Sequence, residues 1–338
     1  MSRSILITGG LGFIGSHTIV ELLNSQLFDN IIVIDNLSNS KITVLDSIRE
    51  LTNKSVTFLP INILNMTDLK AIFAANHITS VIHFAALKAV GESIKQPAEY
   101  YHTNVTGTIQ LVNIMREYKC HNLIFSSSAT VYGEQDYPVT EESCTGVGLT
   151  NPYGRTKYMV EEILKDYAAA YPELNITLLR YFNPVGAHPS GKIGEDPNGI
   201  PNNLCPYLLR VARGIIPQMT VYGNDYATHD GTCIRDFIHV VDLAKAHLAA
   251  LSHMESGHNH GLTIYNVGTG NGVTVLDFIK TFEQVNDMKL SYVMGERRQG
   301  DLPIVYSNAD KMYKELGWKA EKTLEDICRD AYHFANKK

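Results

Sequence analysis

The chain has no apolar run near the roughly 18 residues that a membrane-spanning helix needs, so no span is expected. It has no excess of positive charge either. Its 29 Lys and Arg stand against 35 Asp and Glu, a net charge of −6. That argues against a general nucleic-acid binder and leaves any phosphate ligand to a few placed cations or to backbone N–H groups. Cysteine is scarce: Cys120, Cys144, Cys205, Cys233 and Cys328 are odd in number, widely spaced and form no Cys-x-x-Cys. Reduced thiols in a reducing compartment fit that usage. The start of the chain runs almost directly into an apolar stretch, without the layout of a signal peptide, so a cytoplasmic location is expected. Metal-ligand spacing is missing as well. His247, His253, His258 and His260 cluster, but only the last two are close and no Cys accompanies them, so no metal is expected. There is no internal repeat and no low-complexity segment. What remains is ordinary for a soluble globular protein, with 44% apolar and 19% charged residues in 338, enough for a large core and two domains.

The first 180 residues alternate short apolar runs with longer helical patterns. Strands are expected at Ser4–Ile7, Ile31–Ile34, Val56–Leu59, Val81–Phe84, Leu123–Phe125 and Ile176–Leu179. Helices are expected near 16–26, 41–51, 67–76, 98–118 and 153–171. This alternation indicates a parallel sheet covered on both faces. From Asn183 to Asp236 the chain turns rich in Pro, Gly and Asn, interrupted by a helical run over Asn203–Gly214. Helical patterns follow at Val240–His253, near 274–286 and near 323–336, with strand-like Thr263–Val267 and Leu290–Val293. This smaller, irregular part reads as a substrate domain.

Gly9, Gly12 and Gly15 follow the first strand and open a helix, a G-x-x-G-x-x-G variant of the dinucleotide fingerprint. Glycine there permits a tight turn, close backbone approach to a pyrophosphate and close helix–strand packing, with the helix N-terminus facing the phosphates. Asp35 closes the second strand 20 residues after Gly15. A carboxylate there accepts from an adenosine ribose and repels a 2′-phosphate, which favours NAD over NADP. Asn62, at the third strand end, reads either as an adenine contact or as a turn residue. Phe84 through Lys88 follow the fourth strand; the small Ala85 and Ala86 would let backbone approach a cofactor, and Lys88 reads as a phosphate contact or a solvated loop residue. Ser128 and Thr130 follow the fifth strand, where open parallel sheets bind ligands, and can hydrogen-bond a reacting hydroxyl or only their own turn. Tyr153 and Lys157 lie four apart on one helix face, with Asn151 as cap and Pro152 in the first position. An ammonium that near is expected to lower the phenol pKa and make Tyr153 a general base. Gly268 through Gly272 looks like a second phosphate loop, but no acidic strand end follows, so a flexible turn is expected. Arg297 and Arg298, with Asp301 beside them, suit a bound anion.

Together the glycine motif, Asp35, Ser128 and Tyr153-x-x-x-Lys157 resemble the extended short-chain dehydrogenase/reductase superfamily. Longer stretches resemble, within it, the UDP-galactose 4-epimerases: Asp35–Ser40, His83–Ser93, Phe125–Gly133, Leu179 onward to Gly194, Gly199–Leu204, Arg235–Val240 and Arg297–Asp301. The resemblance spans nearly the whole chain. It implies a Rossmann-type doubly wound parallel sheet over 1–182 that binds NAD, and a smaller C-terminal α/β domain over 183–338 that binds a UDP-sugar, with some segments returning to the sheet. It implies reversible inversion at C4 of a UDP-hexose through a 4-keto sugar. Tyr153 would be the base, Lys157 would hold the nicotinamide ribose, and Ser128 and Thr130 would orient the hydroxyl and the phenol. The cofactor side would also take Phe13, Ile14, Asn36, Leu37, Ser38, Asn39, Ser40, Ile63, Leu87, Asn104 and Phe182. The substrate side would take Lys88, Asn183, Asn203, Leu204, Thr220, Val221, Tyr222, Arg235, Arg298 and Asp301. A homodimer through the helices near 98–118 and 153–171 is implied as well.

Two positions depart from the family pattern. Asn62 stands where members often carry Asp. Val305 stands where members restricted to plain hexoses often carry Tyr, and its smaller side chain is expected to admit the 2-acetamido group of UDP-GlcNAc and UDP-GalNAc. Three other functions fit less well. A 4,6-dehydratase needs carboxyls at the Ser128–Thr130 turn, where this chain has Ala129. An enzyme for UDP-hexuronic acids needs a further cation for the C6 carboxylate. A non-catalytic NAD sensor would not keep Tyr153, Lys157, Ser128 and Thr130 together.

Overall fold

A computed structural model describes residues 3–199, 201, 203–257, 261–298 and 300–337. Ile200, Asn202, His258, His260 and Gln299 therefore lie outside the described residues. The chain begins with β1 (Ser4–Thr8), α1 (Phe13–Ser25), β2 (Asn30–Ile34), α2 (Val44–Thr52), β3 (Thr57–Leu59), α3 (Met66–Ala75) and β4 (Ile78–His83). Next come α4 (Val90–Lys95), α5 (Pro97–Tyr100), a π-helical turn at Tyr101–Thr106 and α6 (Gly107–Glu117). Strand β5 (Asn122–Ser128), α7 (Pro152–Ala170) and β6 (Asn175–Tyr181) follow. The chain then runs through β7 (Asn183–Val185), α8 (Leu204–Ala212), β8 (Met219–Tyr222), β9 (Ile234–Arg235), β10 (Phe237–His239), α9 (Val240–Glu255) and β11 (Gly261–Val267). It ends with β12 (Val273–Thr274), α10 (Val275–Val285), β13 (Tyr292–Gly295), β14 (Ile304–Val305), α11 (Asp310–Leu316) and α12 (Leu324–Asn336).

Seven strands form one sheet in the order β11-β6-β5-β4-β1-β2-β3, and every neighbouring pair is parallel. Strand residues alternate between its two faces. Ile5, Ile7, Val33, Ile82, Ile124 and Leu179 face a core that α1 and α9 complete. Leu6, Ile32, Val81, Leu123, Ile176 and Leu178 face a second core with α3, α6 and α7. Burial on both faces explains why these strands read as continuous apolar runs. The strand order reverses between β1 and β4, and the crevice beyond their C-terminal ends is where such sheets take a ligand.

The strand expected at Thr263–Val267 pairs residue by residue with β6, and α9 packs along α1. The chain thus leaves the sheet after Tyr181 and returns to it from Val240 to Val267. A third core, with Leu208, Phe237, Phe278, Phe282 and Ile327, belongs to the region beyond Asn183. The helix expected over 98–118 is present with the π turn inside it. The last strand expectation moves from Leu290–Val293 to Tyr292–Gly295, where it pairs parallel with β8.

Candidate active site

A continuous cleft of about 1160 Å³ runs from the β1–α1 turn, past the ends of β4 and β5, to β8, β9 and β14. All the residues expected to touch cofactor or substrate line it except Leu37 and Asn104.

The β1 end is made of backbone. Gly9 has φ of 66°, and a Cβ there would sit 2.7 Å from the Ala85 nitrogen. A Cβ on Gly15 would lie 2.7 Å from the Gly9 carbonyl oxygen and the Gly10 Cα. Helix α1 begins at Gly12 with no side-chain cap, which leaves first-turn N–H groups for an anion. Asp35 is buried at the end of β2. It accepts from the Leu11 N–H at 3.1 Å, the Leu37 N–H at 2.9 Å and the Ser40 hydroxyl at 2.8 Å. A carboxylate has about four acceptor positions, so one lone pair remains for a ribose hydroxyl. These features fit a dinucleotide. Leu37 takes part through its N–H while its side chain packs against the core below. Asn62 accepts from the Leu64 N–H at 3.0 Å, the turn bond, and still lines the cleft.

Asn104 stands behind the cleft lining. Its carboxamide accepts from the Leu87 N–H at 2.8 Å and donates to the Leu87 carbonyl and the Thr156 hydroxyl, each at 3.0 Å. Both donors are spent, and Asn104 fixes the Phe84–Lys88 loop from behind.

In the middle of the cleft, α7 starts at Asn151, whose side chain accepts from the Gly154 N–H at 2.9 Å, with Pro152 in the first turn. The Ser128 hydroxyl acts on the Tyr153 phenol, pulling its pKa down, and Ser128 accepts from the Thr130 hydroxyl at 3.0 Å. Lys157 is buried, donates to the Ser126 carbonyl at 2.6 Å and lies 6.0 Å from the Tyr153 ring centre. Burial lowers its pKa to about 7, against the opposing pull of Glu161. Burial also raises the Tyr153 pKa, with Ser128 and Lys88 pulling it back. The expected depression of the phenol by Lys157 is therefore not present in the protein alone. Desolvation penalises both charged forms, and the cation acting on the phenol is Lys88. Lys88 in turn pairs with Glu195 at 3.0 Å, which raises its pKa. No motif points to Glu195, which stands 107 positions from its partner.

At the far end Asp301 sits between two guanidinium groups, Arg235 and Arg298, each 3.9 Å away. Arg298 lies over the Tyr222 ring at 4.8 Å. Such long pairs are loose enough for an anionic ligand to enter. Asn203 precedes α8 without capping it by its side chain, Leu204 opens that helix, and Asn183 sits on β7. Thr220 and Tyr222 flank the site on β8, while the side chain of Val221 belongs to the core. Phe182 and Val305 pack on the Ala129, Val131 and Tyr132 cluster beneath the catalytic turn.

The Gly268–Gly272 segment is a turn closed on Asp236. That buried carboxylate accepts from the Thr269 N–H at 2.8 Å and the Gly270 N–H at 3.2 Å, so these groups do not face a phosphate. Among the described residues, His229, Asp230 and Asp277 alone are placed close enough for a shared ion. Asp230 is taken up by the Thr232 and Thr274 hydroxyls at 2.8 and 2.6 Å.

A doubly wound parallel sheet, a glycine turn with an acidic strand end, and a Tyr-Lys helix beside a serine define a nicotinamide-dependent enzyme of the short-chain dehydrogenase/reductase type. The model of the NAD dependent epimerase/dehydratase family matches residues 5–268, and the chain belongs to that family. It is 54% identical to a UDP-glucose 4-epimerase of Pasteurella multocida over 99% of this chain and 98% of that one. A crystal structure of UDP-glucose 4-epimerase from Bifidobacterium longum, in complex with NAD+ and UDP, superposes with a TM-score of 0.94 at 46% identity, covering 99% of this chain and 98% of that one. The UDP-Glc/GlcNAc 4-epimerase of Campylobacter jejuni superposes at 0.84 with 34% identity, covering 99% and 100%.

Proposed function

We propose that this chain interconverts UDP-glucose and UDP-galactose by reversible inversion at C4, with NAD as its cofactor. The observation that carries the proposal is the continuous cleft with a glycine turn and Asp35 at one end, Arg235, Arg298 and Asp301 at the other, and one Tyr153–Ser128–Lys157 group between them. Relatives named UDP-glucose 4-epimerase over the whole chain support it. The division of labour follows the expected domains. Residues 1–182, with the returning segment, hold the cofactor, and residues from 183 onward hold the UDP-sugar.

NAD, when bound, supplies a reversible acceptor for the hydrogen and electron pair at C4. The chain's residues do the rest. Tyr153 takes the proton of the C4 hydroxyl as the C4–H bond breaks, leaving a ketone, and gives a proton back when hydrogen returns to the opposite face. Ser128 holds the phenol and the hydroxyl on one line, with Thr130 orienting Ser128. Lys157 holds the nicotinamide ribose. Lys88 supplies a nearby positive charge for the phenolate. Arg235 and Arg298 hold the diphosphate and Asp301 a ribose hydroxyl, so the ketone can turn about its link to UDP without leaving.

The test is to incubate the protein with UDP-glucose, UDP-galactose, UDP-GlcNAc and UDP-GalNAc separately and identify the products. Tyr153→Phe is expected to keep NAD and to lose about 10²–10⁴-fold in kcat, the usual worth of one acid–base group. Unchanged turnover removes Tyr153 as the base, and a product lacking the 6-hydroxyl makes the enzyme a dehydratase.

Two finer readings belong here. Val305 lines the cleft beside Arg235, with which it pairs in register, and its size supports entry of an N-acetyl group. Val305→Tyr is expected to lower kcat/KM for UDP-GlcNAc by at least about tenfold while sparing UDP-galactose. A methylene-scale change in a pocket is already worth about 10–200-fold. Equal loss on both sugars breaks the reading. A cytoplasmic homodimer is the setting we infer. Among the described residues no helix is long and apolar enough to cross a membrane, and the five cysteines are free. Met159 stands exposed on α7, one of the two helices expected at the dimer contact. Light scattering at twice the chain mass tests the dimer.

A further inference from the structure

Behind Lys157, away from the cleft, lies a buried charged group that the chemistry above does not use. Glu161 follows Lys157 by one turn on α7, so the two share a helix face. Its side chain is 0% exposed and that of Arg180, from β6, is 1%. Arg180 donates its Nε and one terminal nitrogen to Glu161 at 3.0 and 2.7 Å. The other terminal nitrogen reaches the Tyr132 hydroxyl at 2.9 Å. Ser127, on β5, donates its hydroxyl to Glu161. The neighbouring Ser126 carbonyl accepts from Lys157 at 2.6 Å.

Two consecutive residues of β5, immediately before Ser128, are thus fastened to two residues one turn apart on the helix that carries Tyr153. A buried ion pair is poor evidence of stability, because apolar replacements are often as good or better. What this one does is fix a register. We propose that Glu161, with Ser127 and Arg180, is the positioning group of the catalytic pair. It sets α7 against the end of β5 so that the Tyr153 phenol meets Ser128, and it keeps a carboxylate beneath the Lys157 ammonium.

The electrostatics agree with the geometry. Burial lowers the pKa of Lys157 to about 7 and Glu161 opposes the fall. The other titratable groups that face Lys157 are Tyr153 on α7 and His83 on β4; Lys88 acts on Tyr153, and Arg180 on Glu161. His83 is buried, and its pKa is lowered to about 3. Loss of the carboxylate lowers the Lys157 pKa further. The ammonium is then lost at lower pH, and the alkaline limb of the kcat profile moves down.

The proposal rests on the epimerase reading, and its test keeps the two apart. The full-length, NAD-loaded protein is compared with Glu161→Gln and Ser127→Ala. The second variant keeps the ion pair and covers the case in which the first does not fold. The measurements are kcat, KM, the pH profile of kcat, bound NAD and Tm. Misplacement of a reacting group by an ångström costs about 10²-fold. Glu161→Gln is therefore expected to lose about that in kcat with KM little changed, and Ser127→Ala roughly tenfold. In Glu161→Gln the alkaline limb moves to lower pH, and NAD is retained in both variants. A native kcat in Ser127→Ala overturns the proposal, and so do a native pH profile in Glu161→Gln and a lowered Tm with unchanged kcat. The phenolate absorbance of each protein minus that of its Tyr153→Phe form follows the phenol without turnover. That difference is measurable even in a chain with no epimerase activity. No shift in that titration also overturns the proposal.

Discussion

At the β1 end of the cleft the ligand meets backbone held by backbone. Gly9 lies so close to Ala85 that not even a methyl group fits between them, and Asp35 ties Leu11, Leu37 and Ser40 into one loop. At the β14 end the ligand meets side chains. Arg235 and Arg298 stand 3.9 Å from Asp301, and the Arg298 side chain is 49% exposed. The first arrangement has little freedom left to lose when a ligand binds, which favours retention. The second must order long side chains each time, which favours exchange. A cofactor that stays and a substrate that comes and goes need this asymmetry.

The largest effect comes from breaking the rigid end. Gly9→Ala puts a Cβ 2.7 Å from backbone that cannot step aside, on a φ of 66° that L residues rarely adopt. Strain of this kind costs about 1–3 kcal/mol, and the clash adds to it, so NAD affinity is expected to fall about 10²-fold. Nucleotide released by acid from the purified variant measures this directly. UDP binding, followed by calorimetry, should change little. Equal losses of NAD and UDP would show that the two ends are not independent.

The looser end should break in the opposite sense. Arg235→Ala removes a guanidinium that is 15% exposed. Bonds to charged groups are worth about 1.5–3 kcal/mol, so KM for UDP-galactose is expected to rise about 10- to 100-fold. Arg298→Ala, more exposed, should cost several-fold. Bound NAD should stay at the native level in both. A loss of NAD in either variant ends the division of labour.

This asymmetry also explains what is legible in the amino-acid order alone. The rigid end is written locally. Strand β1 is buried at all five residues and reads as an apolar run, the glycines sit in one turn, and Asp35 closes the next strand. The helix that carries Tyr153 announces itself through Asn151 and Pro152. The looser end is written at long range. Strands β9, β12 and β14 have two residues each, too few to show a period. Strand β11 joins the first sheet by pairing with β6 across the intervening irregular region. Lys88 and Glu195 meet across 107 positions. Burial is equally invisible in a string of residues. The Tyr153–Lys157 spacing suggests an ammonium that lowers the phenol pKa, but desolvation outweighs it for both groups. Asn104 has the right chemistry for a ligand, and only the fold shows its bonds to Leu87 and Thr156.

One segment joins the two ends, and it gives the smallest effect. Residues 195–198, from the looser region, reach back over the cofactor side. The Asn198 N–H donates to the Asn39 side chain and the Asn198 amide to the Ser38 carbonyl, both at 3.2 Å, and Lys41 pairs with Asp196. Lys88 and Glu195 close the inner edge. If retention of NAD comes only from the rigid end, this strap is decoration. If the strap contributes, the Asp196→Asn/Asn198→Ala protein should release NAD about three- to tenfold faster, because each exposed contact is worth at most about 1 kcal/mol. Exchange against labelled NAD measures the rate. Salt gives an internal check. At about 1 M the screening length falls to about 3 Å, so high salt should quicken release from the native protein and change the variant less. Equal exchange rates in the two proteins would place retention wholly in the glycine turn and Asp35, and the comparison would then hold without a bridge between its halves.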